Sequence, residues 1–356
     1  MIIHKNFIGG NICVVKQNER DVYVENELRD TQENWFYWAF CVEGAQGKTV
    51  TFHFQDDRLG YFGPAVSYDL DTWEWLGTCG KNEFTYTFGA KETKVYFAHS
   101  MLYQPKRFLS FAEANGLTVQ TFCQSKKGRS VPYITFGNGH RSVILTARHH
   151  ACESTGNYVM EGVLTELLNN PIPDTKILCV PFMDYDGVVD GDQGKSRAPH
   201  DYNRDYAENA KSIYPETAKM REYVKEHGCH YGFDFHSPWH IGQQNDKAFI
   251  VQNSLEKLDK LNAFGELLES VITEKAFQYR HADDYPFQTG WNKGGATTFA
   301  SYVAKRLENE VAFTLETAYF GQEDNRVSQE RLLELGKCFA QALRKYIQEK
   351  ESKFFR

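Results

Sequence analysis

Three residues with metal-ligand chemistry follow predicted strands in this sequence. His150 and Glu153 come after the apolar run 143–147, which predicts a buried strand, and His236 follows a second predicted strand at 229–235. In open α/β sheets, the carboxyl ends of the strands meet along one edge, where ligands bind. Two histidines and a glutamate leave one position of a tetrahedral zinc ion open for water, as in catalytic zinc sites. We therefore predict that His150, Glu153 and His236 bind one Zn²⁺.

His149 competes with His150 for the first ligand position. The four-residue spacing from His149 to Glu153 would suit a continuous helix, whereas the three-residue spacing from His150 fits a tight turn. Since Glu153 precedes the predicted helix, the direction of its side chain favours His150.

Further candidates lie on two other segments. Glu316 ends the predicted strand 311–315, so its carboxylate could take a proton from a zinc-bound water and pass it to a leaving amine. A loop rich in Gly and Asp carries Arg197, Asn203 and Arg204. Arginine binds carboxylates through a planar fork and stabilises developing oxyanions, although an arginine on such a loop is usually just solvated.

The elements that must position these residues fall into two parts. Residues 1–125 contain short runs of aromatic and β-branched residues separated by Gly and Asp, which predicts an antiparallel β-sandwich. Residues 126–356 alternate strand and helix patterns, which predicts a second domain with an α/β layer architecture. Aromatic residues make up 15% of the chain, and we expect most of them in the core.

Composition narrows the range of partners. The net charge of −7 gives no basic field for phosphates, so we expect no nucleic acid partner. No run approaches the ~18 apolar residues of a membrane span. The eight cysteines stand singly, without a CxxC pair, and the amino end lacks the apolar core of a secretory signal. We therefore expect a reducing cytoplasm, with no membrane association.

The motifs together resemble those of the zinc carboxypeptidases, the M14 metallopeptidases. That family has His-x-x-Glu after a strand, an Asn-Pro-Asp-Gly loop, an Asn-Arg pair, a His-Ser third ligand and a catalytic Glu near the carboxyl end. Five elements in the same order are far more specific than any one of them. Here they are His150-Ala151-Cys152-Glu153, Asp184-Tyr185-Asp186-Gly187, Asn203-Arg204, His236-Ser237 and Thr314-Leu315-Glu316.

The amino-terminal part resembles the β-sandwich that precedes the catalytic domain of cytosolic carboxypeptidases. The likeness lies in residues 35–40, the turn 44–47 and residues 96–100. The resemblance implies a three-layer αβα domain with a mixed sheet, which hydrolyses the C-terminal peptide bond of peptides or proteins. In that family zinc would be the cofactor and Glu316 the general base and acid.

The resemblance also implies roles for the loop residues. Arg197 would polarise the scissile carbonyl, while Asn203 and Arg204 would bind the terminal carboxylate of the substrate. The sequence departs from the family at Asp184-Tyr185, where Asn-Pro is expected, and in the short gap between Arg197 and Asn203. The mobile tyrosine of the digestive members is not evident before Gly294-Gly295.

The residue that sets side-chain preference in the family lies near Thr297, and a threonine there announces neither a basic nor a large apolar preference. Two other functions remain open. One is a zinc amidase or deacylase acting on cell-wall peptides or acyl amino acids. The other is a non-catalytic binding protein with a vestigial site, although the complete ligand set argues against decay.

Overall fold

The computed structural model describes residues 1–295 and 297–354, and its first part is built from nine short strands. These strands are β1 (Ile2–His4), β2 (Cys13–Gln17), β3 (Asp21–Glu25), β4 (Ala39–Glu43), β5 (Thr49–Phe54), β6 (Ala65–Ser67), β7 (Glu74–Trp75), β8 (Glu83–Thr87) and β9 (Lys94–Ala98). They form a five-stranded sheet, β1-β4-β9-β6-β7, and a four-stranded sheet, β2-β3-β5-β8. The antiparallel arrangement predicted from the sequence holds for every pair except β3 and β5, which are parallel.

Aromatic side chains fill the core of this first part. Along β5, burial alternates with a period of two, so that Val50, Phe52 and Phe54 all point inward. The ring of Phe52 stacks on that of Phe84 with centroids 4.9 Å apart, while Phe40 and Phe97 approach to 5.5 Å. The aromatic residues of this part of the chain therefore serve mainly as core, as the sequence predicts.

The second part of the chain alternates helices with a seven-stranded sheet. Its elements are α1 (Pro105–Ala114), β10 (Gln120–Gln124), β11 (Ser130–Asn138), β12 (Arg141–Ala147), α2 (Thr155–Asn169), β13 (Thr175–Val180), α3 (Tyr185–Asp190), α4 (Pro215–His227), β14 (Tyr231–His236), β15 (Ala248–Val251), α5 (Leu258–Val271), α6 (Phe299–Ala304), β16 (Val311–Thr317), β17 (Gly321–Gln322), β18 (Asn325–Arg326) and α7 (Gln329–Phe354). The sheet order is β10-β11-β13-β12-β14-β16-β15. Strands β13, β12, β14 and β16 are parallel, and β10, β11 and β15 pair antiparallel at the two edges. The mixed sheet is therefore confirmed.

Helices cover both faces of this sheet. In β12, Val143 and Leu145 belong to a buried cluster with residues of α2, α5 and α7. Ile144, which lies between them, points to the opposite face and joins a cluster with residues of α4 and α6. Because alternate residues of a strand face opposite sides, this burial pattern confirms the three-layer arrangement.

Strand β10 lies before the domain boundary that we predict at residue 125. Gln120 and Thr121 pair with Tyr133 and Pro132 of β11, so the second sheet begins at Gln120. The division into residues 1–125 and 126–356 stays a prediction, and the pairing favours a boundary before Gln120. In residues 1–295 and 297–354, no helix is both long and apolar enough to cross a membrane.

Helix α2, which follows the predicted ligand Glu153, packs directly on α7. A Cβ added at Gly162 would lie 2.0 Å from the backbone oxygen of Leu333, and one at Gly336 would lie 1.9 Å from that of Val159. The two helix backbones therefore touch, which only glycine permits.

Replacing Gly162 with Ala should destabilise the fold. The added methyl group must push α2 away from α7, and such overpacking costs about 1–3 kcal/mol. Urea unfolding followed by circular dichroism measures this change. Asn169→Ala, at an exposed position of the same helix, is the control and should change stability by less than ~0.5 kcal/mol. Equal midpoints for the Gly162 variant and the control would contradict the close packing.

Candidate metal centre and active site

The three predicted ligands converge at one point of the seven-stranded sheet. His150 Nδ1 lies 2.9 Å from Glu153 Oε1, and His236 Nδ1 lies 2.6 Å from Glu153 Oε2. One donor atom from each residue falls within 4.8 Å of the others, so a single cation could contact all three. Nitrogen and carboxylate donors of this kind suit zinc, and the residues therefore fit the ion predicted from the sequence.

A braced turn carries His150 and Glu153. Strand β12 ends at Ala147, and Arg148 then takes a φ of 59°, in the left-handed region that non-glycine residues rarely enter. Its buried guanidinium donates to the backbone oxygen of Ala151 at 2.7 Å through Nε. The side chain of Arg148 thus compensates a strained backbone and fixes the direction in which the turn presents its ligands.

The start of α2 joins this turn to the other two strand ends. Thr155 Oγ1 is hydrogen-bonded to Ser237 Oγ at 2.5 Å and donates to the backbone oxygen of Thr317 at 3.0 Å. Both partners stand directly after predicted site residues, His236 and Glu316. The helix start is therefore fastened to β14 and β16 where their site residues lie.

The Asp234 carboxylate is hydrogen-bonded to two histidines, His236 and His149. Its Oδ2 accepts from His236 Nε2 at 2.6 Å, and its Oδ1 accepts from His149 Nδ1 and from Thr146 Oγ1, both at 2.8 Å. A carboxylate on the outer nitrogen of a metal-binding histidine fixes the ring and strengthens it as a ligand. Burial raises the pKa of Asp234, but the charges of His149 and His236 outweigh burial and leave it lowered.

His149 is occupied on both sides. Besides Asp234, it contacts Tyr206 Oη at 2.7 Å through Nε2, and its side chain is fully buried. The donor atoms of His149, Asp234 and His236 also lie close together. Hydrogen bonds from the two imidazoles to Asp234 explain this proximity. These contacts leave His150 as the better candidate for the first ligand.

Glu316 lies beside the ligands on the adjacent strand, in register with His236. Its Oε2 is buried and has no hydrogen-bond partner among the residues that the structure describes, which is a costly state for an ionised group. Burial, followed by the negative charge of Glu153, raises the pKa of Glu316 to about 7. A carboxyl group with such a pKa can both accept and donate a proton near neutral pH.

Asn203 and Arg204 reach the same cavity from a single 3-10 turn. Asn203 Nδ2 lies 3.3 Å from His236 Nε2, and its Oδ1 accepts from the backbone N–H of Phe299 at 3.2 Å. Arg204 is exposed, and its Nη1 donates to the backbone oxygen of Asn203 at 3.0 Å. The amide is thus fixed, while the guanidinium can still bind a ligand.

The structure does not bring Arg197 to the site. Its Nη1 lies 2.8 Å from Asp184, and Nε and Nη2 each lie 3.0 Å from an aspartate, Asp30 and Asp192 respectively. All of these groups are largely buried, and three carboxylates satisfy the planar guanidinium. These contacts direct the guanidinium nitrogens of Arg197 to aspartates, so we do not carry its expected role at the scissile carbonyl into the proposed function.

Lys195, on the same loop as Arg197, contacts the predicted ligand Glu153. Its Nζ is 2.5 Å from Glu153 Oε1, and it lines the same cavity as His150, His236 and Glu316. Burial lowers the pKa of Lys195, but the charge of Glu153 outweighs it, so the net shift is upward and the side chain stays cationic. Sequence reasoning missed this residue, because two basic residues on one loop cannot be told apart without the contacts that orient them.

Two other site residues were also missed. Asp234 stands two residues before His236, and that spacing on a strand places both side chains on one face, which could have signalled the pair. Trp35, from the first part of the chain, lines the cavity together with Trp239 and Trp291. No local pattern could have indicated that Trp35 crosses to this site. The cavity has a volume of about 800 Å³.

Comparison with known proteins agrees with this architecture. Residues 3–99 match a family described as the cytosolic carboxypeptidase N-terminal domain. The first part of this chain is therefore similar to the N-terminal domain of the cytosolic carboxypeptidases. The resemblance predicted from the sequence is thereby confirmed. Human cytosolic carboxypeptidase 2 is 32% identical to the chain over 123 residues, which cover 30% of this chain and 14% of the human protein.

A bacterial relative extends over most of the chain. An uncharacterised protein of Zymomonas mobilis is 27% identical over 344 residues, covering 90% of this chain and 89% of that protein. The cytosolic carboxypeptidases are much longer than this chain. The matched part is only 14% of the length of the human protein.

Two solved bacterial structures share the complete two-part fold. A metallo-carboxypeptidase from Pseudomonas aeruginosa, solved with (2-guanidinoethylmercapto)succinic acid, superposes with a TM-score of 0.80 and 22% identity, covering 98% of this chain and 100% of the other. A metallo-carboxypeptidase from Burkholderia cenocepacia gives a TM-score of 0.78 and 20% identity, with 98% and 99% coverage. The α/β part of this chain therefore has the M14 carboxypeptidase fold.

Asp234→Asn should weaken metal binding. The amide keeps the shape of the side chain but presents a donor to one imidazole, and loss of such a partner typically costs 10–100-fold in metal affinity. Competition with a chromophoric zinc chelator measures the dissociation constant. The matched control is Asp174→Asn, which alters the exposed His140–Asp174 pair. An unchanged zinc affinity in the Asp234 variant would contradict the bracing role.

Proposed function

We propose that this chain is a zinc-dependent metallocarboxypeptidase that hydrolyses the C-terminal peptide bond of peptides or proteins. The observation that carries the proposal is the convergence of His150, Glu153 and His236 beside Glu316 in one cavity. The fold of its bacterial neighbours and the match of its first part to cytosolic carboxypeptidases support the same reaction class. We also infer a reducing, cytoplasmic setting, since all eight cysteines are free thiols.

His150, Glu153 and His236 would hold the zinc ion. When bound, zinc supplies Lewis acidity, which polarises a carbonyl and brings the pKa of a coordinated water to about 7. Its positive charge would also balance the buried carboxylates of Glu153 and Glu316, which repel each other in the site.

The protein residues would divide the remaining work. Glu316 would accept a proton from the attacking water and donate it to the departing amine, which its raised pKa suits. Arg204 would bind the terminal carboxylate of the substrate through its guanidinium fork, and Asn203 would add an amide donor. Binding of the terminal carboxylate would set the scissile bond at a fixed distance from Glu316, which is the basis of exopeptidase selectivity.

Peptide digestion followed by mass spectrometry tests the proposed activity. We expect single residues to leave from the carboxyl end, and we expect a chelator to stop their release. Internal cleavage, or release from the amino end, would contradict the proposal. Release of acyl groups without peptide cleavage would favour the deacylase.

Glu316→Gln should abolish turnover while leaving zinc bound. The amide fills the same space but cannot carry the proton, so kcat should fall on the order of 10²–10⁴-fold. Steady-state kinetics and metal analysis of the same sample measure both properties. Glu310→Gln is a matched control. Glu310 lies directly before the start of β16, at the end away from Glu316, and pairs with Lys260 near the surface. Full activity in the Glu316 variant would remove this residue from the mechanism.

Arg204→Gln should chiefly weaken the binding of substrates with a free carboxylate. A hydrogen bond to a charged group contributes about 1.5–3 kcal/mol, so kcat/KM for these peptides should fall roughly 10- to 100-fold. Peptides with an amidated end should lose little, and comparison of the two series measures the difference. The control is Arg326→Gln, which alters a surface pair with Glu323. Equal losses for both series would show that Arg204 does not read the carboxylate.

A further inference from the structure

Lys195 brings a positive charge into the candidate active site. Its ammonium lies 2.5 Å from Glu153 Oε1 and 3.3 Å from the backbone oxygen of Ser237, and the residue is only 7% exposed. It shares the cavity with Glu316. A buried lysine carries a large desolvation cost, so its presence beside the metal ligands calls for an explanation.

The first part of the chain fixes the loop that carries Lys195. The Asp30 carboxylate accepts from the backbone N–H groups of Gln193 at 3.0 Å and Gly194 at 2.8 Å. Gln193 in turn exchanges two hydrogen bonds with the backbone of Tyr37, at 2.9 and 2.8 Å. These contacts span more than 150 residues of sequence, and they lock the backbone directly before Lys195.

Trp35, also from the first part of the chain, contacts Lys195 and its neighbour Ser196. Its Nε1 donates to Ser196 Oγ at 3.2 Å, and the ammonium of Lys195 lies over its ring, 4.6 Å from the centroid. A cation held on an indole face is attracted more strongly in a desolvated place than at an exposed one. The aromatic ring thus restricts where the ammonium can go without consuming its hydrogen-bond donors.

A metal ion bound by Glu153 would compete with Lys195 for the same carboxylate. If Glu153 ligates the metal ion, its charge is neutralised from the metal side, and a donor of the ammonium becomes free for another acceptor. The acceptor expected in the same cavity is the carbonyl oxygen of the scissile peptide, which becomes negative as water adds to the carbonyl carbon. A preorganised cation at that place is the kind of group that stabilises such an oxyanion.

We propose that Lys195 is a catalytic residue that donates a hydrogen bond and positive charge to the scissile carbonyl oxygen, and that Trp35 is its positioning residue. This rests on the carboxypeptidase function proposed above. In the reaction, the water oxygen bonds to the carbonyl carbon and the π pair moves to the oxygen facing Lys195. That pair re-forms the carbonyl as the C–N bond breaks, and Glu316 carries the water proton to the amine.

Lys195→Met and Lys195→Arg test the proposal. Methionine keeps the length without the charge, so kcat should fall on the order of 10²–10³-fold with KM changed by less than about threefold. Arginine should restore at least a tenth of the activity, since it keeps the charge. Lys94→Met, which breaks a surface pair with Glu43 at 2.7 Å, is the matched control and should leave both constants unchanged.

A second readout does not depend on turnover. The dissociation constant of a phosphinic analogue of acetyl-Ala-Ala, whose tetrahedral oxygens mimic the oxyanion, is measured by calorimetry on the zinc-loaded proteins. Lys195→Met should weaken this analogue by the same factor as kcat, with one zinc retained per chain. A kcat and an analogue affinity both within about threefold of the wild type would overturn the proposal. Tighter zinc binding with undiminished turnover would also overturn it, because Lys195 would then be only a counter-ion.

Trp35 is tested in combination. Trp35→Leu should lower kcat about tenfold in the wild-type background and cause no further loss in Lys195→Met, because the two residues act through one another. Trp35→Phe, which keeps an aromatic face, should recover most of the loss. Equal losses in both backgrounds would assign Trp35 a separate role. If the wild type cleaves no peptide but still binds the analogue through Lys195, the proposed function fails while the cation site stands.

Discussion

The site depends on the burial of a single carboxylate. Glu153 is 1% exposed, and it lies between the imidazoles of His150 and His236 and the ammonium of Lys195. An ionised carboxylate this deep is tolerated only when charges and hydrogen bonds surround it. The three strand ends and the loop that reach Glu153 must therefore hold their positions together, and much of the surrounding structure serves that purpose.

The fold meets this demand with contacts that tie separate segments to one another. Thr155 fastens α2 to the ends of β14 and β16, and Asp234 holds His236 from the side opposite the cavity. The first part of the chain adds Asp30, which caps the loop before Lys195. Residues of the β-sandwich thus orient a side chain of the α/β part that lines the candidate site.

The sequence was most informative where local patterns decide the structure. The apolar run of β12 predicted a buried strand, and the three-residue spacing of His150 and Glu153 predicted a turn that presents two ligands together. Edge strands were missed where burial is weak. All five residues of β2, Cys13–Gln17, are exposed, so no alternation of polar and apolar residues marked it. Similarly, Gln120–Gln124 is half exposed, and the predicted boundary cut it from the sheet to which it belongs.

The roles of basic residues could not be assigned from sequence. Arg197 and Lys195 are two residues apart on one loop, and the family resemblance pointed to the arginine. In the structure, Asp30, Asp184 and Asp192 bind the guanidinium of Arg197, while Lys195 lines the cavity. Asp30 lies far from the loop in sequence, so the residues of the loop alone could not predict that it contacts Arg197.

Counting the zinc ions bound per chain shows whether His150, Glu153 and His236 form one metal site. The wild-type protein and a variant carrying both His150→Ala and His236→Ala are loaded with zinc, dialysed and analysed by inductively coupled plasma mass spectrometry. We expect one zinc ion per wild-type chain and none in the folded double variant. A wild-type chain that retains no zinc, or a double variant that retains as much as the wild type, would contradict it.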